Sequence, residues 1–196
     1  TPKYTNLDDI GKTVKDAEDD YAYMSTQVEG IYVGYRYYET RYEDYILKQG
    51  NANSVKGSIA GEWNYANEMV YPFGYGLSYT SFDQKIESVT AKSDGTFEVK
   101  ISVKNTGDIA GKKSVLLYAQ TPYGAYEKEN GVEKSAIQLV QFGKTRLLNK
   151  GESETITLDV DKYLLASYDR NEAKTYIISE GDYYFAIGED VHDALN

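Results

Sequence analysis

From Thr96 to Lys104 the apolar residues fall on every second position, at Phe97, Val99, Ile101 and Val103. This period of two puts all four on one face of an extended strand, with Glu98, Lys100 and Ser102 on the other. A strand with one apolar face has to bury it against a second layer, and the flanking sequence supplies one. Ile86 to Ala91 reads as a strand that turns back through Ser93-Asp94-Gly95, and Asn105-Thr106-Gly107-Asp108 breaks the alternating run. Ser114 to Ala119 carries Val115, Leu116, Leu117 and Tyr118, with too few polar interruptions for an exposed edge, so it belongs in the middle of a sheet. Gln138 to Leu148, Glu154 to Val160 and Tyr176 to Ile187 read as further strands. Asn149-Lys150-Gly151-Glu152 and Glu180-Gly181-Asp182 are turns, and Tyr163 to Tyr168 is a short helical connection. Short strands with frequent turn signals predict a mainly β chain whose second part is a β-sandwich of immunoglobulin-like kind.

The stretch from Val70 to Phe82, VYPFGYGLSYTSF, joins this part to a tyrosine-rich first part. Pro72 fixes its own φ and biases Tyr71 toward an extended conformation, while Gly74 and Gly76 permit close approach of the backbone. Aromatics on both sides of the glycines suit a rigid strap buried by two neighbours; a flexible linker would be rich in Ser, Gly and charge. The alternative is an ordinary loop that happens to contain aromatics.

Composition removes several classes of function. The net charge of −10 disfavours nucleic acid and anionic membrane surfaces, which require clustered Lys and Arg. No apolar run approaches the roughly 20 residues that span a bilayer. Without cysteine there is no disulfide framework, and the redox compartment stays open. The first residues lack a hydrophobic signal region, so a soluble protein is expected, compatible with the cytoplasm. A first residue other than Met is expected of a processed, cut or expressed fragment. Asp16-Ala17-Glu18-Asp19-Asp20 lacks the spacing and closing Glu of a calcium loop and reads as a solvated acidic surface, while Leu7 to Ala17 is at best a weak helix.

Glu29 to Thr40, EGIYVGYRYYET, followed by Tyr71 to Thr80, YPFGYGLSYT, resembles the paired signature of glycoside hydrolase family 3, the β-glucosidase and β-xylosidase family. The likeness continues through Val103-Lys104-Asn105-Thr106-Gly107 with Ala110-Gly111, Gln141-Phe142-Gly143-Lys144, Gly151-Glu152-Ser153, and Gly181-Asp182-Tyr183-Tyr184 with Ile187-Gly188. It departs from the family at Gln141-Phe142-Gly143-Lys144, where a Gly-Phe-Glu-Lys-like sequence is commoner, and in the insert from Gln49 to Asn67. The resemblance implies that residues 1–82 are the tail of an α/β sandwich domain with the interdomain strap. Residues 83–190 would then be a fibronectin type III-like β-sandwich, and 191–196 the start of a connection to a following segment. It also implies a non-catalytic structural portion of a β-glucosidase-like enzyme, packed on its barrel and sandwich domains, through which the oligosaccharide substrate is met.

A retaining glycosidase needs two carboxylates about 5 Å apart. In the family the nucleophile is an Asp of the barrel, and the acid/base is commonly a Glu well upstream of the first signature. Neither motif has a counterpart here, so no catalytic carboxylate is assigned and no cofactor or metal is expected. Glu29 is read as structural, paired with Arg36 or Arg41 or accepting backbone N–H bonds. The single histidine, His192, lies near the end, which argues against an internal Ser-His-acid triad. Flat aromatic rings stack on the C–H faces of pyranoses, which makes Trp63, Tyr35, Tyr37 and Arg36 the candidates for sugar or interdomain contact. Trp63 lies in the glycine-containing insert and reads as an anchor on a neighbouring domain. Residues 35–38 read as a strand, with Tyr35 and Tyr37 on one face and Arg36 and Tyr38 on the other. Unchanged substrate affinity after Tyr37→Ala in the complete enzyme counts against a sugar contact there. Residues 1–28 and 49–67 are expected to be mobile if unsupported. The alternative function is a stand-alone carbohydrate-binding or protein-interaction β-sandwich.

Overall fold

The Phe97–Val103 alternation becomes the middle strand of a sheet. The computed structural model describes residues 30–48 and 63–196, together with the backbone of 13–15 and 21–23. In chain order the strands are β1 (Thr13–Lys15), β2 (Tyr21–Tyr23), β3 (Phe82–Ala91), β4 (Thr96–Asn105), β5 (Ser114–Gln120), β6 (Gln138–Lys144), β7 (Ser153–Asp161), β8 (Ser167–Asp169), β9 (Thr175–Ile177) and β10 (Tyr184–Ala186). The α-helices are α1 (Tyr35–Tyr42), α2 (Tyr65–Glu68), α3 (Ala125–Asn130) and α4 (Val191–Leu195).

Two antiparallel sheets, ordered β3-β4-β7 and β10-β5-β6, face one another. Val99, Ile101 and Val103 of β4 are fully buried and meet Leu158 and Val160 of β7 and Val115, Leu117 and Ala119 of β5. Each such side chain removed from water contributes roughly 1.5–3 kcal/mol, so these facing rows hold the sandwich closed. The strand β5 is apolar on both faces because both are covered. Val115, Leu117 and Ala119 enter the sandwich core, whereas Tyr118 packs on the outer side with Ile137, Val191 and Ala194. A register shift between Leu117 and Tyr118, opposite β6, accompanies this.

The structure corrects several sequence expectations. Residues 35–38 are the first turn of α1 and not a strand. Polar contacts one helical turn apart explain this, since Thr40 Oγ1 donates to the Arg36 carbonyl at 2.6 Å and Arg41 Nη1 to the Tyr37 hydroxyl at 2.7 Å. Tyr176 to Ile187 is not one strand. β9 pairs with β8 as a separate ribbon, and β10 pairs with β5, because the intervening turn is closed by the Tyr183 hydroxyl donating to Ser179 O at 2.8 Å. The strand from Gln138 stops at Lys144, and the helical connection is a 3₁₀ turn at Lys162–Leu165 that gives way to β8. Thr13–Lys15, inside the weak helix expected at 7–17, is strand and pairs with β2.

Helix α3 had no sequence signal. In α3, Glu127 is buried and takes the Lys134 ammonium at 2.8 Å and the Gly124 N–H at 2.7 Å. Burial alone would raise its pKa, but the hydrogen bonds from Lys134, Ser179 and Gly124 outweigh it and hold the carboxyl near 2. Charged residues at 127–134 look like a solvated loop until this buried pair is seen. Glu29, the acidic run at 16–20, and the mobility expected of 1–28 and of most of 49–67 fall outside the described residues.

Candidate functional site

The strap crosses the outer face of the β10-β5-β6 sheet and is bolted at its far end to β4. Asn105, fully buried, accepts from Thr80 Oγ1 at 2.7 Å and donates through Nδ2 to the Ile109 and Leu148 carbonyls, both at 2.8 Å. Thr106 N–H then donates to Ser81 O at 2.9 Å. This approach requires glycine at 107, since a Cβ there would lie 2.3 Å from Thr80 Oγ1 and 2.7 Å from Ser81 N. At the strap's bend Gly74 has φ 94, and a Cβ would lie 2.8 Å from Leu116 Cδ1.

The strap's other face is open. Tyr71 and Tyr75 stack at 5.1 Å, and Val70, Leu77 and Tyr79 extend the exposed row, with Leu77 91% and Tyr79 94% accessible. Five large apolar side chains exposed within ten residues form a patch of the kind that marks an interaction surface.

Behind the strap, α1 and α4 enclose a polar cluster. Tyr35, Glu39 and Tyr42 lie along one face of α1. Tyr35 stacks on Phe73 of the strap at 4.7 Å, and its hydroxyl accepts the Leu139 N–H at 2.9 Å, tying strap, helix and β6 together. Glu39 is fully buried. Its carboxylate accepts from the Tyr65 hydroxyl at 2.5 Å and lies 2.8 Å from His192 Nδ1, while the Tyr65 and His192 rings stack at 4.0 Å. Burial raises the Glu39 pKa against the opposing pull of Tyr65 and His192. Burial, followed by the hydrogen bond to Glu39, raises the Tyr65 phenol as well. α4 is held on the same side by Val191 N–H donating to Phe73 O at 2.9 Å, and its first turn is capped by Asp190. A carboxylate closed off in this way has no room for a substrate, so its chemistry is that of a lock between chain segments.

Arg41 brings two of the four candidate contact residues together, since its guanidinium lies against both the Tyr37 and the Trp63 rings. Trp63 is buried at 2% exposure, edge-on to Tyr45 and Tyr65, with the Arg41 guanidinium 4.9 Å above its ring. It packs against Arg41 of α1 in its own chain. Tyr35 is consumed by the strap contact. Tyr37 and Arg36 are half-buried on α1, with Tyr37 edge-on to Tyr38 at 5.0 Å. Sequence reasoning missed Glu39 and His192, which lie 153 positions apart. The only available signal was that the chain has a single histidine.

Residues 113–191 match the fibronectin type III-like domain family. The chain is 35% identical to β-glucosidase A of Butyrivibrio fibrisolvens over 90% of its own length and 20% of that protein. It is 32% identical to a β-glucosidase of Ruminococcus albus, over 85% of this chain and 15% of the relative. Among solved structures, β-glucosidase 3B from Thermotoga neapolitana in complex with α-D-glucose superposes with a TM-score of 0.59 at 33% identity, covering 83% of this chain and 18% of the other. A β-glucosidase from Paenibacillus barengoltzii gives 0.63 at 34%, covering 83% and 15%. The chain therefore spans about a fifth or less of the relatives it matches.

Proposed function

The chain is a non-catalytic, fibronectin type III-like portion of the family 3 β-glucosidase type, and from that premise we propose that it clamps the catalytic domains of a longer enzyme in register. In this reading residues 1–82 end a sandwich domain and carry the strap, 83–190 form the fibronectin-like domain, and 191–196 lead onward. The enzyme as a whole hydrolyses terminal β-D-glucosides, the activity named for its relatives. The barrel and sandwich domains are the partners of this chain, and the oligosaccharide is met through them.

The observation that carries the proposal is the two-faced strap. Its inner face is fixed to β4, β5 and α1, and its outer face presents five apolar side chains. A rigid element with an uncovered apolar side transmits position from one domain to the next. Displacing a catalytic group by about 1 Å costs on the order of 100-fold in rate, so holding the acid/base opposite the nucleophile is a function in itself. Leu77→Asp with Tyr79→Asp in the full-length enzyme tests this. The expected result is a fall in kcat/KM of about tenfold or more, while the thermal unfolding of the isolated chain is unchanged. Wild-type kinetics in that variant would overturn the clamp.

A further inference from the structure

A second aromatic site lies at the end of the sandwich away from the strap. The register that pairs Thr96 with Asp161 puts the 3₁₀ turn at the β3–β4 hairpin end, whereas Thr80 and Asn105 fix the strap at the other. There Tyr163 of the turn, Tyr168 of β8 and Tyr176 of β9 are each a little over half exposed. The Tyr163 and Tyr176 rings are 4.9 Å apart, and those of Tyr168 and Tyr176, direct cross-strand partners, 5.2 Å apart.

The ribbon that carries them is rigid for a stretch only three residues deep. Asp169, fully buried, accepts the N–H groups of Asn171 and Glu172 at 3.0 Å, that of Ala173 at 3.1 Å and the Tyr126 hydroxyl at 2.6 Å. Lys174 sits at φ 53, a left-handed conformation that a lysine adopts only where its surroundings impose it. Lys162 and Leu165, of the same turn as Tyr163, and Ile178, two residues beyond Tyr176, also line a cavity of about 470 Å³ with Phe97, Tyr184 and Phe185, although the three tyrosines themselves do not. That volume falls within the range of small-ligand sites.

The chemistry of the patch selects its occupant. Three half-exposed tyrosines offer roughly 300 Å² of ring surface, well short of the roughly 800 Å² per partner of a standard protein interface. The charges close to the three tyrosines in the chain, Asp161, Glu172, Glu180 and Asp182 against Lys162, Arg170 and Lys174, nearly balance, so no strong field of one sign favours a charged ligand. Phenol rings combine an apolar face with a hydroxyl that donates and accepts, which matches a neutral ligand with C–H faces ringed by hydroxyl groups. We propose that Tyr163, Tyr168 and Tyr176 form a binding platform for a neutral oligosaccharide, separate from the strap.

The test is calorimetric titration of the chain with cellotetraose, xylotetraose and maltotetraose. Saturable binding is expected, weakened about tenfold per ring in Tyr168→Ala and Tyr176→Ala and unchanged in Tyr79→Ala on the strap. Because the two cross-strand rings also pack the ribbon, Tyr168→Leu with Tyr176→Leu retains apolar bulk there. This variant is expected to melt like the wild type while losing the sugar. Cellotetraose as the first probe rests on the β-glucoside reading. Binding of another tetraose through the same tyrosines also supports the platform, while weakening that reading. Absence of heat with all three sugars, or wild-type binding by the double leucine variant, overturns the platform.

Discussion

Glu39 and Glu43, on successive turns of one helical stretch, carry the pH dependence of the α1 region. Burial comes first among the causes that raise Glu43 from the usual 4.5 to about 7, with the neighbouring Asp44 second. A carboxyl whose folded pKa is raised binds its proton more tightly in the native state. Its contribution to stability is therefore full below about 4.5 and is lost as pH rises through about 7. Glu43→Gln is expected to flatten the melting temperature between those values and to raise stability at pH 8 by on the order of 3 kcal/mol, read by thermal denaturation across pH. Glu127 has the opposite sign. Held near 2, it stabilises above the usual 4.5 and is lost as pH falls toward 2. Glu127→Gln leaves the Lys134 ammonium buried without its counter-charge and is expected to cost roughly 3–5 kcal/mol by denaturant titration at pH 7. None of these carboxylates was legible in the sequence as a buried group, because nothing beside a Glu in the chain says what folds over it.

At the scale of elements, strand β4 was legible and helix α1 was not, for a physical reason. The Phe97–Val103 alternation is a local property, and the sheet on either side only had to accept it. In YRYYETRY the tyrosines favour extended backbone by propensity, and the contacts one turn apart within the helix, together with distant partners, override it. Tyr35 stacks on Phe73, Thr40 accepts the Ala136 N–H at 2.9 Å, and Glu39 meets Tyr65 and His192. The tyrosine-rich run at 175–187 was misread likewise, because the break between β9 and β10 is set by a side chain closing on Ser179 O. Two substitutions separate core from strap. Ile101→Ala empties the sandwich centre and is expected to cost roughly 2–5 kcal/mol in global unfolding. Gly107→Ala drives a methyl group into Thr80 and Ser81, and is expected to cost roughly 1–3 kcal/mol and to loosen the strap selectively. Faster hydrogen exchange at Thr106 and Gly107 than in β4 would record that loosening.

At the scale of the molecule, the chain is a β-sandwich with one busy side. α1 and α4 gather on the outer face of the β10-β5-β6 sheet, where Tyr118 and Ile137 pack with Tyr35, Val191 and Ala194, and the strap joins them through Phe73. The strap signature was legible because Pro72, Gly74 and the aromatics around them are local signals. The lock behind it was not, since it joins Glu39 to His192 across 153 positions. The central claim is that the exposed side of the strap is covered when the catalytic domains are present. Hydrogen exchange at the amides of Leu77 and Tyr79 tests this most directly, comparing the isolated chain with the full-length enzyme. The clamp predicts fast exchange in the isolated chain and strong protection in the complete protein. Equal, fast exchange in both would mean that nothing packs on the strap and would contradict the assignment of this chain as a clamp.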